Sequence, residues 1–405
     1  AFHRDDHFST STQEMRKAYI FMLMSACAAL LSLCDCSKSD NGADDSKKDK
    51  DSVLVYSFSK PEYVFGFVNQ NRYSYCPSVL RQEDDSRHIF FCGNPNQNIM
   101  VDNVFHFVEN ADGSKTQAVS VLQPSLSWDS RHTCDPSVIQ GEFGYNGENY
   151  RYAMFFLSNP LEYYYNEIGV AFSNDLNATS WVKFPTQIVT KTWSQEGDQS
   201  LGGSARSWGV GQPSAVSLDK KGKVLLTYTV GDAAGTRVAF SVLDMSDMSK
   251  FTPVTGTDMN KTGLYMLDGK TEDTMANCDF AINQEENKVV ISRPVHPFSS
   301  NYPSYIASVL EIDSIDLDDL LDGIGKWTMI GRIDETISGF PRNHNACLMR
   351  DNFGHIKDWD TPTVYFTVSK EAPQVAAENG KHAEWTYHIY KTSISKKYRY
   401  FDKRK

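Results

Sequence analysis

The chain has 405 residues, with 51 acidic against 40 basic side chains and a formal net charge of −11. Phosphate contacts need clustered Lys and Arg, so an acidic chain without a basic block excludes nucleic acid as its partner. The length allows two or three domains, but closed all-β folds often run this long as one unit.

At the N-terminus, Met15-Arg16-Lys17 precedes an apolar run from Ala18 to Cys34, the basic and hydrophobic regions of a secretory signal. The run sits at the lower edge of what spans a bilayer, and a retained membrane anchor stays as the alternative. Cys34-Asp35-Cys36 and a Ser/Asp/Lys-rich stretch follow. This pattern resembles a bacterial lipoprotein. The resemblance implies lipidation at Cys36, with Cys34 as second choice, and an outer-membrane location at the cell surface or periplasmic face. The lipobox departs from the usual one at Leu33 and Asp35. The expected organisation is a signal/lipoprotein segment over 1–36, a disordered linker over 37–52 and one folded domain over 53–405. Export implies a disulfide-permissive compartment. Five cysteines remain beyond the linker, Cys76, Cys92, Cys134, Cys278 and Cys347. The odd number leaves at least one unpaired, and no Cys-x-x-Cys pair suggests zinc.

From Val53 onward the pattern predicts strands and turns. Strands are expected at Val53–Phe58, Arg87–Cys92, Tyr150–Leu157, Glu167–Phe172, Lys223–Val230, Lys288–Ser292, Thr363–Val368 and Trp385–Lys391, and one helical turn within Ile315–Leu321. The basic run from Lys396 to Lys405 reads as a solvated tail.

An internal repeat organises these strands. Cys76-Pro77-Ser78-Val79, Asp135-Pro136-Ser137-Val138, Gln212-Pro213-Ser214-Ala215, Asn277-Cys278-Asp279-Phe280 and His344-Asn345-Ala346-Cys347 each precede a β-rich run. Spacings from Pro77 through Pro136, Pro213 and Asp279 to Asn345 are 59, 77, 66 and 66 residues. A four-stranded antiparallel blade with long loops fits this period, which predicts an all-β, five-bladed β-propeller. Val53–Phe58 or Tyr63–Val68 would close the ring beside the last blade. The residues opening each repeat, Cys76, Asp135, Gln212, Asn277 or Cys278, and His344, would then converge on the central channel.

The run His132-Thr133-Cys134-Asp135-Pro136-Ser137, then Tyr150–Phe156, Asn166–Asp175 and Trp181, resembles the five-bladed glycoside hydrolases of the family 43 arabinanase and xylosidase type. The resemblance is clearest over residues 130–230. It implies carboxylates across the funnel, one activating water, one protonating the leaving oxygen and one tuning the acid. Asp135 matches the second-blade Asp-Pro position. The first-blade position, where the family places its base, is Cys76, and no Glu-Gly-Pro acid motif opens the third blade. Glu196 and Asp198 lie in the loop ahead of that blade instead.

The candidate catalytic residues are therefore Asp135, Glu196 and His132. Candidate sugar ligands are Arg206, Trp208, Gln212, Asp279, Arg342, His344 and Asn345, with Trp193 in the same loop as Arg206. The resemblance also implies that a central His, here His344, contacts a metal or water, which makes a divalent cation such as calcium in the channel the cofactor to test. The expected function is a carbohydrate-active lipoprotein, a glycoside hydrolase acting on a poly- or oligosaccharide in the funnel. The alternatives are a non-catalytic carbohydrate-binding propeller and a scaffold lipoprotein. A monomer is expected, touching the membrane through its lipid anchor only.

Overall fold

The computed structural model describes residues 50–159, 165–190, 208–232, 234–296, 307–369 and 383–402. The candidates Cys36, Cys34, Trp193, Glu196, Asp198 and Arg206 lie outside these residues. Two compact units are defined, Val53–Arg399 and, separately, Ala1–Ser52 with Tyr400–Lys405. No helix among the described residues is long and apolar enough to cross a membrane.

The larger unit is a five-bladed propeller. Strands β1 (Lys50–Phe58) and β2 (Glu62–Phe65) come first in the chain. Blade 1 then comprises β3 (Ser74–Arg81), β4 (Arg87–Gly93), β5 (Asn103–Glu109) and β6 (Val119–Leu122). Blade 2 comprises β7 (His132–Tyr145), β8 (Glu148–Asn159), β9 (Glu167–Ser173) and β10 (Val182–Lys183). Blade 3 comprises β11 (Gly209–Ser217), β12 (Lys223–Asp232), β13 (Gly235–Asp244) and β14 (Thr257–Asp258). Blade 4 comprises β15 (Asp279–Asn283), β16 (Lys288–Pro294), β17 (Leu310–Asp316) and β18 (Thr328–Ile333). Blade 5 comprises β19 (Arg342–Leu348), β20 (Thr363–Ser369) and β21 (His388–Asp402). Both expected closing strands pair with β21, β1 continuing the sheet and β2 off that path. The expected helical turn is α1 (Leu317–Leu321), and a second, α2 (Glu335–Ser338), precedes β19. Trp385 falls in a 3-10 turn rather than a strand.

The strands form because both faces of each blade are covered. Ile89, Phe90, Phe91 and Cys92 are consecutive and all fully buried, since one face meets blade 5 and the other blade 2. Five apolar clusters fill the five blade interfaces in turn. The cluster between blades 1 and 2 is built on Phe90, Val138 and Met154, and that between blades 5 and 1 on Tyr365, Val79 and Phe91. Each fully buried aromatic or branched side chain contributes about 1.5–3 kcal/mol, so no interface stands out as the one that holds the ring.

The innermost strands carry the repeat. Registers slip by one residue between Tyr75 and Ser78, Cys134 and Ser137, Gly211 and Ser214, and His344 and Cys347. The inserted residue of each bulge has a positive φ: Cys76 50°, Asp135 46°, Gln212 52° and Asn345 45°, with Asn277 at 55° in blade 4. A bulge leaves one residue unpaired, and β3, β7 and β11 are the edge strands of their sheets, which together are why Pro77, Pro136 and Pro213 are tolerated there. The blade-5 equivalent of Asp135 is thus Asn345. The expected alignment, which put His344 there, is one residue out.

One residue past each Pro position, a second ring of side chains closes around the axis. Ser78 Oγ accepts from Val138 N, Ser137 Oγ from Ala215 N, Ser214 Oγ from Phe280 N and Asp279 Oδ2 from Leu348 N, at 2.8–3.3 Å. Cys347 completes the circle through the backbone of Val79. Beneath it, the blade-5 hairpin over 350–356 crosses the axis. Arg350, 1% exposed, donates to Phe280 O at 2.7 Å and Ala215 O at 3.2 Å. Asn352 exchanges side-chain hydrogen bonds with Gln82 and donates to Gln140. Phe353 O receives Ser217 N, and Gly354 O receives Ile282 N. The hairpin therefore bonds to all four other blades and plugs the channel at this end.

Candidate functional site

The bulges face the other end of the channel. Positive φ marks one layer of five residues at the head of the innermost strands, Cys76, Asp135, Gln212, Asn277 and Asn345, in which Cys76 bonds Asp135 and Asn345, and Asn345 bonds Asn277. Three bulge N–H groups are held by the preceding blade, Asp135 N by Cys92 Sγ, Asn277 N by Thr229 Oγ1 and Cys76 N by Thr367 Oγ1. Cys76, Gln212 and Asn277 are half-buried, so the layer is not sealed from solvent.

Asp135 is the carboxylate of this layer and is 6% exposed. Burial pushes its pKa from 3.8 up to about 6, with a hydrogen bond from Cys76 opposing the rise. Burial likewise holds the Cys76 thiol well above its ordinary value. Cys92 and Cys134 form a disulfide joining blade 1 to blade 2. Its sulfurs lie 3.6 and 3.3 Å from Asp135 Oδ1. Half-cystines have no hydrogen to give, so these contacts do not satisfy the carboxylate.

A polar chain leads outward from the disulfide. Tyr75 Oη lies 3.1 Å from Cys134 Sγ and donates to Asp102 Oδ2 at 3.2 Å. His132 Nδ1 is 3.2 Å from the same Asp102 oxygen. His132 stands beside Asp102, with neither ring nitrogen hydrogen-bonded among the described residues, so it neighbours the Tyr75–Asp102 pair, two residues the sequence reasoning did not single out.

On the blade-5 side, Asn345 Nδ2 donates to Asn277 Oδ1 at 3.1 Å, and His344 Nδ1 bonds Asn345 Oδ1. His344 is 3% exposed, and burial lowers its pKa to about 4, so the ring is neutral near pH 7. With Nδ1–H given to Asn345, Nε2 carries a lone pair, and no described residue bonds it. Gln212 Oε1 is buried and unbonded in the same way. Such groups are costly unless a ligand or water meets them. His344 also packs edge-on against Tyr387, which continues through Tyr75 and Tyr73 to Trp385 as one aromatic cluster.

Other candidates are placed differently. Asp279 lies one layer deeper, bonded to Ser214 Oγ and Leu348 N and 3.5 Å from Arg350 Nη1. Its partners are those of the axial ring. Trp208 packs behind the disulfide beside Leu157. Arg342 opens β19, with its Nε buried and unbonded.

The donor set does not fit a calcium ion, which takes six to eight oxygens. Near His344 the described groups are one imidazole nitrogen and neutral amides. Cys76, Cys92 and Asp135 bring donor atoms within 4.8 Å of one another, but the Cys92 sulfur is committed to its disulfide.

No protein-family model matches the chain, and no curated protein matches its sequence. Solved structures do match in fold. A family 117 glycoside hydrolase produced by the marine bacterium Zobellia galactanivorans superposes with TM-score 0.52 at 8% identity, covering 86% of this chain and 92% of its own. The catalytic domain of a Coprinopsis cinerea GH62 α-L-arabinofuranosidase gives 0.51 at 10% identity, covering 84% and 97%. An N-acetylgalactosamine deacetylase from F. plautii gives 0.52 at 13% identity, covering 84% and 95%. The fold is a five-bladed β-propeller with structural neighbours among glycoside hydrolase families.

Proposed function

We propose that the channel mouth receives a poly- or oligosaccharide and that the protein is a glycoside hydrolase in which Asp135 moves the proton. The observation that carries this reading is the pairing of a protonatable buried carboxyl with neutral, unbonded acceptors. Gln212 Oε1 and His344 Nε2 suit the O–H donors of a sugar. An anion would find no donor in either. The Tyr73–Trp385–Tyr75–Tyr387 cluster supplies aromatic surface beside them, as sugar C–H faces require. The neighbouring folds named above are themselves named for carbohydrate chemistry.

With a pKa of about 6, Asp135 keeps a usable protonated fraction near neutrality and gives its proton to the leaving oxygen while water attacks the anomeric carbon. Glu196, ahead of β11 in the sequence, is the residue we propose as the second carboxylate. A second reading, sugar binding without hydrolysis, is favoured by one observation: a thiol, Cys76, holds the position where the family 43 resemblance implies a base. The lipid anchor at Cys36 and the outer-membrane location belong to both readings.

The test is release of reducing sugar from a panel of polysaccharides and aryl glycosides. Turnover lost in Asp135→Asn, with a pH profile falling above about 6, supports the hydrolase. Retained binding without turnover in the unaltered protein leaves the second reading. Binding lost in neither His344→Ala nor Gln212→Ala overturns both. Loss of palmitate labelling in Cys36→Ser checks the anchor.

A further inference from the structure

The channel floor also holds three cysteines that no step of sugar chemistry uses. Cys76 Sγ lies within 4.8 Å of Cys92 Sγ and of the Asp135 carboxylate. The two sulfurs sit side by side because Cys92 is the register partner of Tyr75, the residue before Cys76. Cys76 is a free thiol and is half-buried, on the open side of the layer. Cys92 is bonded to Cys134. Asp135 stands between the two ends of this arrangement: it shares a hydrogen bond with Cys76, and its Oδ1 is 3.3 Å from Cys134 Sγ. A free thiol beside a disulfide, with one carboxylate touching both the attacking and the departing sulfur, is the constellation that thiol–disulfide exchange needs.

We propose that Cys76, Cys92, Cys134 and Asp135 form a thiol–disulfide exchange centre, in which the Cys92–Cys134 bond and a Cys76–Cys92 bond interconvert. Asp135 takes the proton from the Cys76 thiol. The Cys76 sulfur attacks Cys92 Sγ, the S–S bond from Cys76 to Cys92 forms, and the bond from Cys92 to Cys134 breaks. The electron pair leaves on Cys134 Sγ, which takes the proton back from Asp135. One thiol and one disulfide stand on each side, so no oxidant or reductant is consumed. Tyr75 Oη, 3.1 Å from Cys134 Sγ, is placed to accept from the Cys134 thiol once it is protonated, its own hydrogen staying on Asp102. Exchange would convert the covalent link between blades 1 and 2 into one within blade 1, between β3 and β4. An external thiol or small disulfide enters the same cycle at Cys76, the most exposed of the three cysteines. The inference is independent of any sugar ligand.

The test uses the full chain without reductant. The protein is held at pH 8.5 under nitrogen, sampled over a day, quenched in acid, and its thiols are labelled after denaturation at low pH and mapped by mass spectrometry. Label at Cys134 should rise as label at Cys76 falls by an equal amount, and a Cys76–Cys92 linked peptide should appear. Cys278 and Cys347, both buried and free, should stay fully labelled throughout. Asp135→Asn should slow the approach to the same final ratio by about a hundredfold, the usual reach of a positioned proton carrier. Cys134 remaining unlabelled for the whole day overturns the proposal. As a second measurement, Cys134→Ser in oxidised glutathione should yield the Cys76–Cys92 disulfide. Separate glutathione adducts at Cys76 and Cys92 would likewise overturn it. Should that variant fail to fold, the first measurement decides alone.

Discussion

Arg350→Met is the sharpest probe of what holds the propeller shut. Methionine keeps most of the aliphatic stem and removes the guanidinium, which is buried and donates to Phe280 O and Ala215 O while facing Asp279 at 3.5 Å. Two carbonyls lose a charged donor, worth about 1.5–3 kcal/mol each. Removing one member of a buried ion pair costs about 3–5 kcal/mol. These estimates overlap, since the same guanidinium serves all three groups, and about 4 kcal/mol is the working figure. For a unit of about 350 residues, an unfolding entropy of about 2.1 cal/mol/K per residue turns this into a Tm lowered by about 5 °C. Differential scanning calorimetry at pH 7 reads it. The companion variant is Asp279→Asn, which keeps an oxygen for Leu348 N and turns its amide nitrogen toward Ser214 Oγ. In that background Arg350→Met should cost at least about 1 kcal/mol less, because no buried carboxylate is left uncompensated. A Tm change under about 2 °C, or strict additivity of the pair, would refute the account of Arg350 as an ionic plug.

Two further outcomes follow from the site and the plug. The folded-state pKa of Asp135 lies near 6, above its ordinary 3.8. Between those values the unfolded chain releases a proton that the folded one keeps, so the Asp135 contribution to stability falls as pH rises from about 3.8 to about 6 and stays low above it. Asp135→Asn should therefore stabilise the protein at pH 7.5, by up to about 3 kcal/mol, and show no such gain at pH 3.5 in thermal melts. Gly354 has φ +85°, and an added Cβ would sit 3.0 Å from Val216 Cα and 3.2 Å from Ala215 O. Gly354→Ala should destabilise by about 1–3 kcal/mol in urea titrations, whereas Gly113→Ala, with a similar φ of +83° in open space, should cost only the backbone strain.

The five-fold repeat was legible because three of its units carry Pro in the innermost strand, an edge strand with a bulge, where a missing N–H is tolerated. Blades 4 and 5 have Cys278 and Ala346 in that place, and the alignment lost its anchor. The discriminating signal was conformational. Asn and Asp tolerate positive φ better than other side chains: Asn277, one of the two blade-4 candidates, takes that conformation, and Asn345 takes it in blade 5 where His344 was expected to align. Asp135 was found because it precedes a Pro. Tyr75 and Asp102 were missed because their meeting depends on a fold-back between β3 and the loop before β5 that leaves no local pattern. The Cys92–Cys134 pair joins neighbouring blades, and an odd number of cysteines permits several pairings. Nothing local marked Arg350 either. An arginine after a strand reads as a surface charge until the hairpin is seen to cross the axis.

That crossing has a bearing on how the molecule comes apart. In a linear repeat array each unit leans only on its neighbours, and the ends fray first. Here blade 5 supplies the keystone, and β1, from the other end of the propeller sequence, completes the sheet of that same blade. Peeling away β1 or β21 opens the sheet from which the keystone hangs, and unseating the keystone releases all four remaining blades together. The propeller should melt as one event, with no ladder of partly unwound states, and a chain without blade 5 would have no finished ring to hold.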